Sequence, residues 1–320
     1  MLKKILLLTI GIILIGSLLI PTLSDSTQPP AESNELNVFV LAGQSNAAYY
    51  NENVTVANEN PSIKDGFAFY YGTSEAPINC GVINNMSYDT TLESYGIYSM
   101  TESDGSFRIG NIEAPFASYF VNKTNQKILI INTGIGGVSI NSYVPNTVGF
   151  EYAEDIVTDA LSKLPEGLTP ILRGVLWVQG ESDAALNVNT YIQKFEDMSL
   201  GFKTLGFNKV FISETKTANG GNASFAQTLI PDKVKGAYLV TDVANTFDMS
   251  NGLLASDNLH YTQKADNILG KIFAEYAISS YSFDTGSLKE YSGLIYVIPI
   301  LVIAALVLGA VGMIYFKRSD

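Results

Sequence analysis

Ser45, Asp257 and His260 are the residue types that acyl transfer needs: a hydroxyl nucleophile, a carboxylate and a base. His260 is the only histidine in the chain, so imidazole chemistry near neutral pH is available at one place. It stands in Ser256-Asp257-Asn258-Leu259-His260-Tyr261. A tight turn there could aim the Asp257 carboxylate at the imidazole Nδ1, fixing the tautomer and stabilising the imidazolium. Ser45 follows an apolar run, in Leu41-Ala42-Gly43-Gln44-Ser45-Asn46. Gly43 permits a sharp turn, and the Ser45 N–H could help bind an oxyanion. Taken singly, Ser45 also fits a helix cap and His260 an ordinary structural histidine.

Two further blocks carry residues suited to the same chemistry. Asn132-Thr-Gly-Ile-Gly-Gly-Val-Ser-Ile140 contains Gly136 and Gly137, where backbone can approach a ligand closely and offer an N–H. Its spacing is neither that of a P-loop nor the dinucleotide fingerprint G-x-G-x-x-G. Trp177-Val178-Gln179-Gly180-Glu181-Ser182-Asp183 holds the chain's only tryptophan. Gln179 has an amide that could donate to an oxyanion. Glu181 and Asp183 also form a carboxylate pair, which leaves a metal or glycosidase reading open.

Positioning these blocks requires a scaffold. Five short apolar runs read as parallel strands buried on both faces: 36–42, 127–132, 174–178, 209–214 and 237–241. Helical periodicity appears at 150–164, 190–205 and 262–281, with Thr262 as a candidate cap. Alternation of strand and helix predicts a doubly wound α/β sheet. The stretch 49–118, rich in Asn, Tyr, Gly and Ser, reads as long loops with a helix near 114–122. Such loops at the carboxyl ends of strands would suit a sugar-binding rim.

The blocks GQSN (43–46), GIGGVSI (134–140), WVQGESD (177–183) and DNLH (257–260) together resemble those of the SGNH hydrolases. Within that superfamily they are most similar to the sialate O-acetylesterase-like and acetylxylan-esterase-like branch. The likeness spans about residues 36–280. It implies an α/β fold, a three-layer α/β/α sandwich with a five-stranded parallel sheet of flavodoxin-like type, and ester hydrolysis without a cofactor or metal. It implies Ser45 as nucleophile, His260 as base and Asp257 as its orienting acid. The oxyanion hole would be the N–H groups of Ser45 and of Gly136 or Gly137, with the Gln179 side chain. Gln44, Asn46, Glu181 and Asp183 would support the site or face the substrate. Ala47 and Ala265 depart from the Met and Gly found in many relatives, which touches the subfamily assignment and no catalytic group.

Composition limits the partners. The net charge of −12 argues against nucleic acid, whose backbone needs a basic face. A single cysteine, Cys80, excludes an intrachain disulfide and a cysteine-based zinc site. Residues 1–24 read as a signal peptide or an uncleaved signal anchor: Lys3 and Lys4 precede an apolar run from Ile5 to Ile20. Residues 25–35 read as a polar linker, 36–282 as the esterase domain and 283–293 as a second linker. The uncharged run 294–316 is long enough to span a bilayer, and Lys317 and Arg318 after it place the tail 317–320 in the cytoplasm. Four glycosylation-type sequons start at Asn53, Asn85, Asn122 and Asn222. The expected protein is a single-pass, membrane-anchored extracellular serine esterase. It would remove O-acetyl groups from carbohydrate or glycoprotein glycans, with membrane lipid around its C-terminal helix. Alternatives are a catalytically weak glycan-binding protein on the same scaffold, and a GDSL-type lipid esterase.

Overall fold

The computed structural model describes residues 33–48, 53–78 and 92–281, and the elements below belong to the unit that begins at Asn34. The expected signal segment, most of the first linker, Cys80, the Asn85 sequon, the second linker, the membrane span and the tail lie outside the described residues. Among the described residues, no helix is long and apolar enough to cross a membrane.

Seven strands form one sheet: β1 (Glu35–Gly43), β2 (Ala68–Gly72), β3 (Gly96–Ser99), β4 (Lys127–Asn132), β5 (Thr169–Val178), β6 (Val210–Ser213) and β7 (Ala237–Thr241). Their order is β3-β2-β4-β1-β5-β6-β7. Every neighbouring pair is parallel except β2 with β3. The helices are α1 (Val54–Ala57), α2 (Glu113–Thr124), α3 (Val148–Ser162), α4 (Val188–Thr204), α5 (Thr217–Leu229) and α6 (Gln263–Ser280).

The five strands read from the sequence are β1, β4, β5, β6 and β7. Among themselves they run second, first, third, fourth, fifth across the sheet, the flavodoxin-like order. β1 lies at the centre and is buried from Leu36 onward. Its side chains alternate between two cores, as a strand covered on both faces must. Leu36, Val38, Val40 and Ala42 pack with α3, α4 and α5. Phe39 and Leu41 pack with α2 and α6. Phe39 meets the edges of Phe116 and Phe120 from α2, with ring centroids 5.0 and 5.8 Å away.

Two expectations are corrected. The sheet has seven strands rather than five, and both additional strands come from the stretch expected to be loops. Tyrosine is what misleads there. Tyr70 and Tyr71 of β2 are fully buried, yet each satisfies its hydroxyl: Tyr70 donates to the Thr73 carbonyl at 2.8 Å and Tyr71 to Asp159 at 2.5 Å. A residue with an apolar body and a bonded polar tip fills a core while reading as polar in sequence. Helix α5 likewise lies outside the expected helices. Its apolar pattern is weak, resting on Ala223 and Ala226, and Gly221 kinks it.

Candidate active site

The four sequence blocks converge at the carboxyl ends of the parallel strands. Ser45 follows β1, the glycine loop follows β4, the Gln179–Asp183 segment follows β5, and the His260 loop precedes α6. This is the crevice where the strand order reverses around β1.

Gly43 sets the turn that carries Ser45. Its φ is +142°, and a Cβ there would lie 2.0 Å from the Val178 carbonyl oxygen, so no side chain fits. The Tyr143 hydroxyl lies 2.8 Å from the Gly43 carbonyl and 2.5 Å from that of Thr133, which clamps the ends of β1 and β4 together. The carbonyl of Gln44 accepts from the N–H of Ala47 and of Ala48, each at 2.8 Å. Ser45 is thereby held at the outer bend.

His260 is aimed by its own loop. Asp257 Oδ1 accepts from the backbone N–H of Leu259 at 2.9 Å and of His260 at 3.0 Å. Asn258 takes the left-handed conformation at the tip, φ +57°, which Asn tolerates well. The second carboxylate oxygen, Oδ2, lies 2.6 Å from His260 Nδ1. On the far side of the ring, Nε2 lies 2.9 Å from Ser45 Oγ. The bond from the His260 N–H, followed by that from its ring, holds the Asp257 carboxyl well below the usual range, at about 2. It is an anion at neutral pH, facing Nδ1, so the proton belongs on Nδ1 and the lone pair on Nε2 faces the serine.

Asn46 ties these parts together. Its Oδ1 accepts from the Tyr261 N–H at 3.0 Å, and its Nδ2 donates to Glu181 Oε1 at 2.7 Å and to the Leu259 carbonyl at 3.3 Å. Gln44 braces the third block, its Oε1 accepting from the N–H of Gly180 and of Ser182 at 3.3 and 3.1 Å. Glu181 is half-buried, desolvation raises its carboxyl pKa, and its buried Oε2 has no partner among the described residues. Asp183 accepts from Ser139 Oγ at 2.5 Å and from the Ile140 N–H at 2.7 Å, joining the second block to the third.

Gln179 differs from its expected role. It is fully buried, and its Nε2 donates to Asp183 at 2.5 Å and to the Val138 carbonyl at 3.2 Å, while its Oε1 accepts from the Tyr191 hydroxyl at 2.9 Å. Both amide protons are committed inside the protein, so this arrangement leaves none for an oxyanion. The backbone N–H groups of Ser45, Gly136 and Gly137, in contrast, have no hydrogen-bond partner among the described residues.

Several residues with positioning roles carry no motif. Asn111 and Asn132 both donate to the Ala47 carbonyl, at 3.1 and 3.0 Å. Gln263 pairs with the Asn111 backbone in both directions, at 2.6 and 3.0 Å. Asn219 of α5 donates to the Asn258 carbonyl at 3.1 Å and pins the His260 loop. Only their partners, distant in the chain, distinguish these residues from ordinary polar ones.

Among known proteins, the sequence model of the family described as carbohydrate esterase, sialic acid-specific acetylesterase matches residues 35–279. No curated protein sequence matches the chain. Solved structures similar to it include that of NanS, at 17% identity over 78% of this chain and 98% of its own, with a TM-score of 0.49. A protein from Arabidopsis thaliana is similar at 17% identity over 76% of this chain and 98% of its own, with a TM-score of 0.48. A carbohydrate acetylesterase from Xanthomonas citri is similar at 15% identity over 75% of this chain and 55% of its own, with a TM-score of 0.47.

Proposed function

We propose, since this chain belongs to the carbohydrate esterase family of sialic acid-specific acetylesterases, that it removes O-acetyl groups from carbohydrate through Ser45, His260 and Asp257. The chain is a carboxylic ester hydrolase. The observation that carries the mechanism is the continuous line from Asp257 Oδ2 to Nδ1 at 2.6 Å, and from Nε2 to Ser45 Oγ at 2.9 Å.

His260 Nε2 takes the hydroxyl proton as Ser45 Oγ attacks the acetyl carbonyl. The oxyanion is bound by the N–H of Ser45 and that of Gly136 or Gly137. Collapse breaks the bond to the sugar oxygen, and the imidazolium returns the proton to it. Water then enters, gives a proton to Nε2 and attacks the acetyl-enzyme, and acetate leaves as Ser45 recovers its hydrogen. Asp257 stays ionised throughout and stabilises the imidazolium. No cofactor enters this scheme.

Ser45→Ala tests the assignment. Hydrolysis of p-nitrophenyl acetate should fall by at least about 10³-fold, and a fluorophosphonate probe should no longer label the chain. Retained turnover sinks the role of Ser45. Preference for acetyl over longer acyl chains, with acetate released from O-acetylated glycans, separates the carbohydrate substrate from a lipid ester.

The setting proposed for this activity is the outer face of a membrane. Its support is sequence: a basic and then apolar start, and an uncharged run at 294–316 followed by Lys317 and Arg318. Activity in washed membranes that added protease destroys on intact cells is the expected result. Activity found only in the soluble cell extract overturns it.

A further inference from the structure

We propose that Glu113 is a positioning residue for the oxyanion hole, a role that rests on the esterase reading above. It sits in the first turn of α2, on no motif, and is 1% exposed. Its partner is Asn132, the last residue of β4, whose side-chain amide is saturated. Nδ2 donates to Glu113 Oε1 at 2.8 Å and to the Ala47 carbonyl at 3.0 Å, and Oδ1 accepts from the Gly134 N–H at 2.9 Å.

An amide has nearly the same shape at its two ends and opposite chemistry. Turned over, Asn132 would set its oxygen against the Ala47 carbonyl and its NH2 against the Gly134 N–H, and would give up the bond it now donates to Glu113 Oε1. Glu113 therefore helps decide which end faces which segment. Those two segments carry the oxyanion donors: Ala47 closes the turn that presents the Ser45 N–H, and Gly134 opens the loop that presents the Gly136 N–H. They are in backbone contact, since a Cβ on Gly134 would lie 2.6 Å from the Ala48 nitrogen. Asn132 is the hydrogen-bonded junction between them.

The start of α2 also reaches the base. Asn111, two residues before Glu113, donates to the Ala47 carbonyl and is paired through its backbone with Gln263, the first residue of α6, three after His260. One short segment thus braces the nucleophile turn, the glycine loop and the histidine's helix. A side chain that merely filled this space would be apolar, because an unpartnered buried oxygen is costly, and Glu113 Oε2 is one. Burial pushes the carboxyl up to about 8, against the opposing bond from Asn132.

The test is p-nitrophenyl acetate kinetics of the full chain with Glu113→Gln and Glu113→Leu, alongside thermal melting. Gln keeps the acceptor and should hold kcat within about twofold. Leu removes it and should lower kcat about tenfold with KM within about twofold, and slow fluorophosphonate labelling in step. A Leu variant that only melts earlier and keeps its kcat overturns the role, as does a Gln variant that loses as much as Leu. Should Glu113→Leu not fold, Asn132→Ala carries the same expected split between kcat and KM, and an unchanged kcat there overturns the role equally. A wild-type chain without Ser45-dependent hydrolysis removes the esterase reading and this role with it.

Discussion

At the scale of single residues, Asp257 does two jobs with two oxygens. Oδ1 closes the turn by accepting from the Leu259 and His260 N–H groups, and Oδ2 faces Nδ1. The division makes Asp257→Asn informative. If the amide oxygen stays with the backbone, the NH2 faces Nδ1 and donates to it. The ring proton is then driven to Nε2, where it cannot accept from Ser45. We expect kcat for p-nitrophenyl acetate to fall by about 10²–10⁴-fold with little change in KM, as a wrong-tautomer substitution does. Undiminished kcat would show that Asp257 only shapes the loop. As a candidate triad, Ser45, Asp257 and His260 stand out in the sequence because of their company: one histidine, a carboxylate three residues before it, and a serine after a strand. Gln179 shows the limit of that legibility. An amide in the right block looks like a donor until Val138, Asp183 and Tyr191 are found around it.

At the scale of elements, the site depends on how closely β1, β4 and β5 bring their ends together. Gly43 is the tightest point, with its missing Cβ replaced by the Val178 carbonyl of β5. Gly43→Ala must push β1 and β5 apart or break the Gln44 N–H bond to that same carbonyl, now 3.0 Å. We expect a loss of about 3 kcal/mol or more in unfolding free energy, in the range of strained backbone plus overpacking, measured by denaturant titration. A change below about 1 kcal/mol would mean the turn relaxes freely. Strands β1, β4, β5, β6 and β7 are readable because parallel strands covered on both faces are continuous apolar runs. β2, β3 and α5 are not, because Tyr70, Tyr71, Ala223 and Ala226 take their burial from neighbours rather than from a local pattern.

At the scale of the whole molecule, buried carboxyls shape the dependence of stability on pH. Glu113 is raised from 4.5 to about 8 by burial. Between those values the folded state holds a proton that the unfolded chain has lost, so stability falls as pH rises through that window. Burial raises Glu181 and Asp266 too, with the same sign. Asp257 acts oppositely: its depressed value, about 2 against 3.8, gives stability that is present above the unfolded value and lost as pH falls through about 2. Glu113→Gln removes one titrating group, so its melting temperature relative to wild type should climb between pH 5 and pH 8.5. A flat difference would mean that Glu113 ionises as an ordinary carboxyl does.

Read alone, the sequence carries the reaction class, Ser45, His260 and Asp257 as a candidate triad, most of the alternation of strands and helices, and the blocks that meet at the strand ends. These depend on residue type and on spacing along the chain, and both are local properties. Folding is needed to show which amides are spent, that a tyrosine-rich stretch adds two strands, and that Glu113 and Asn132 join the loops after β1 and β4. Each of these depends on partners brought together from distant parts of the chain, as when Ser45 meets His260 across 215 positions. A hydrogen bond or a buried ring is a property of the pair, and folding alone selects the pair.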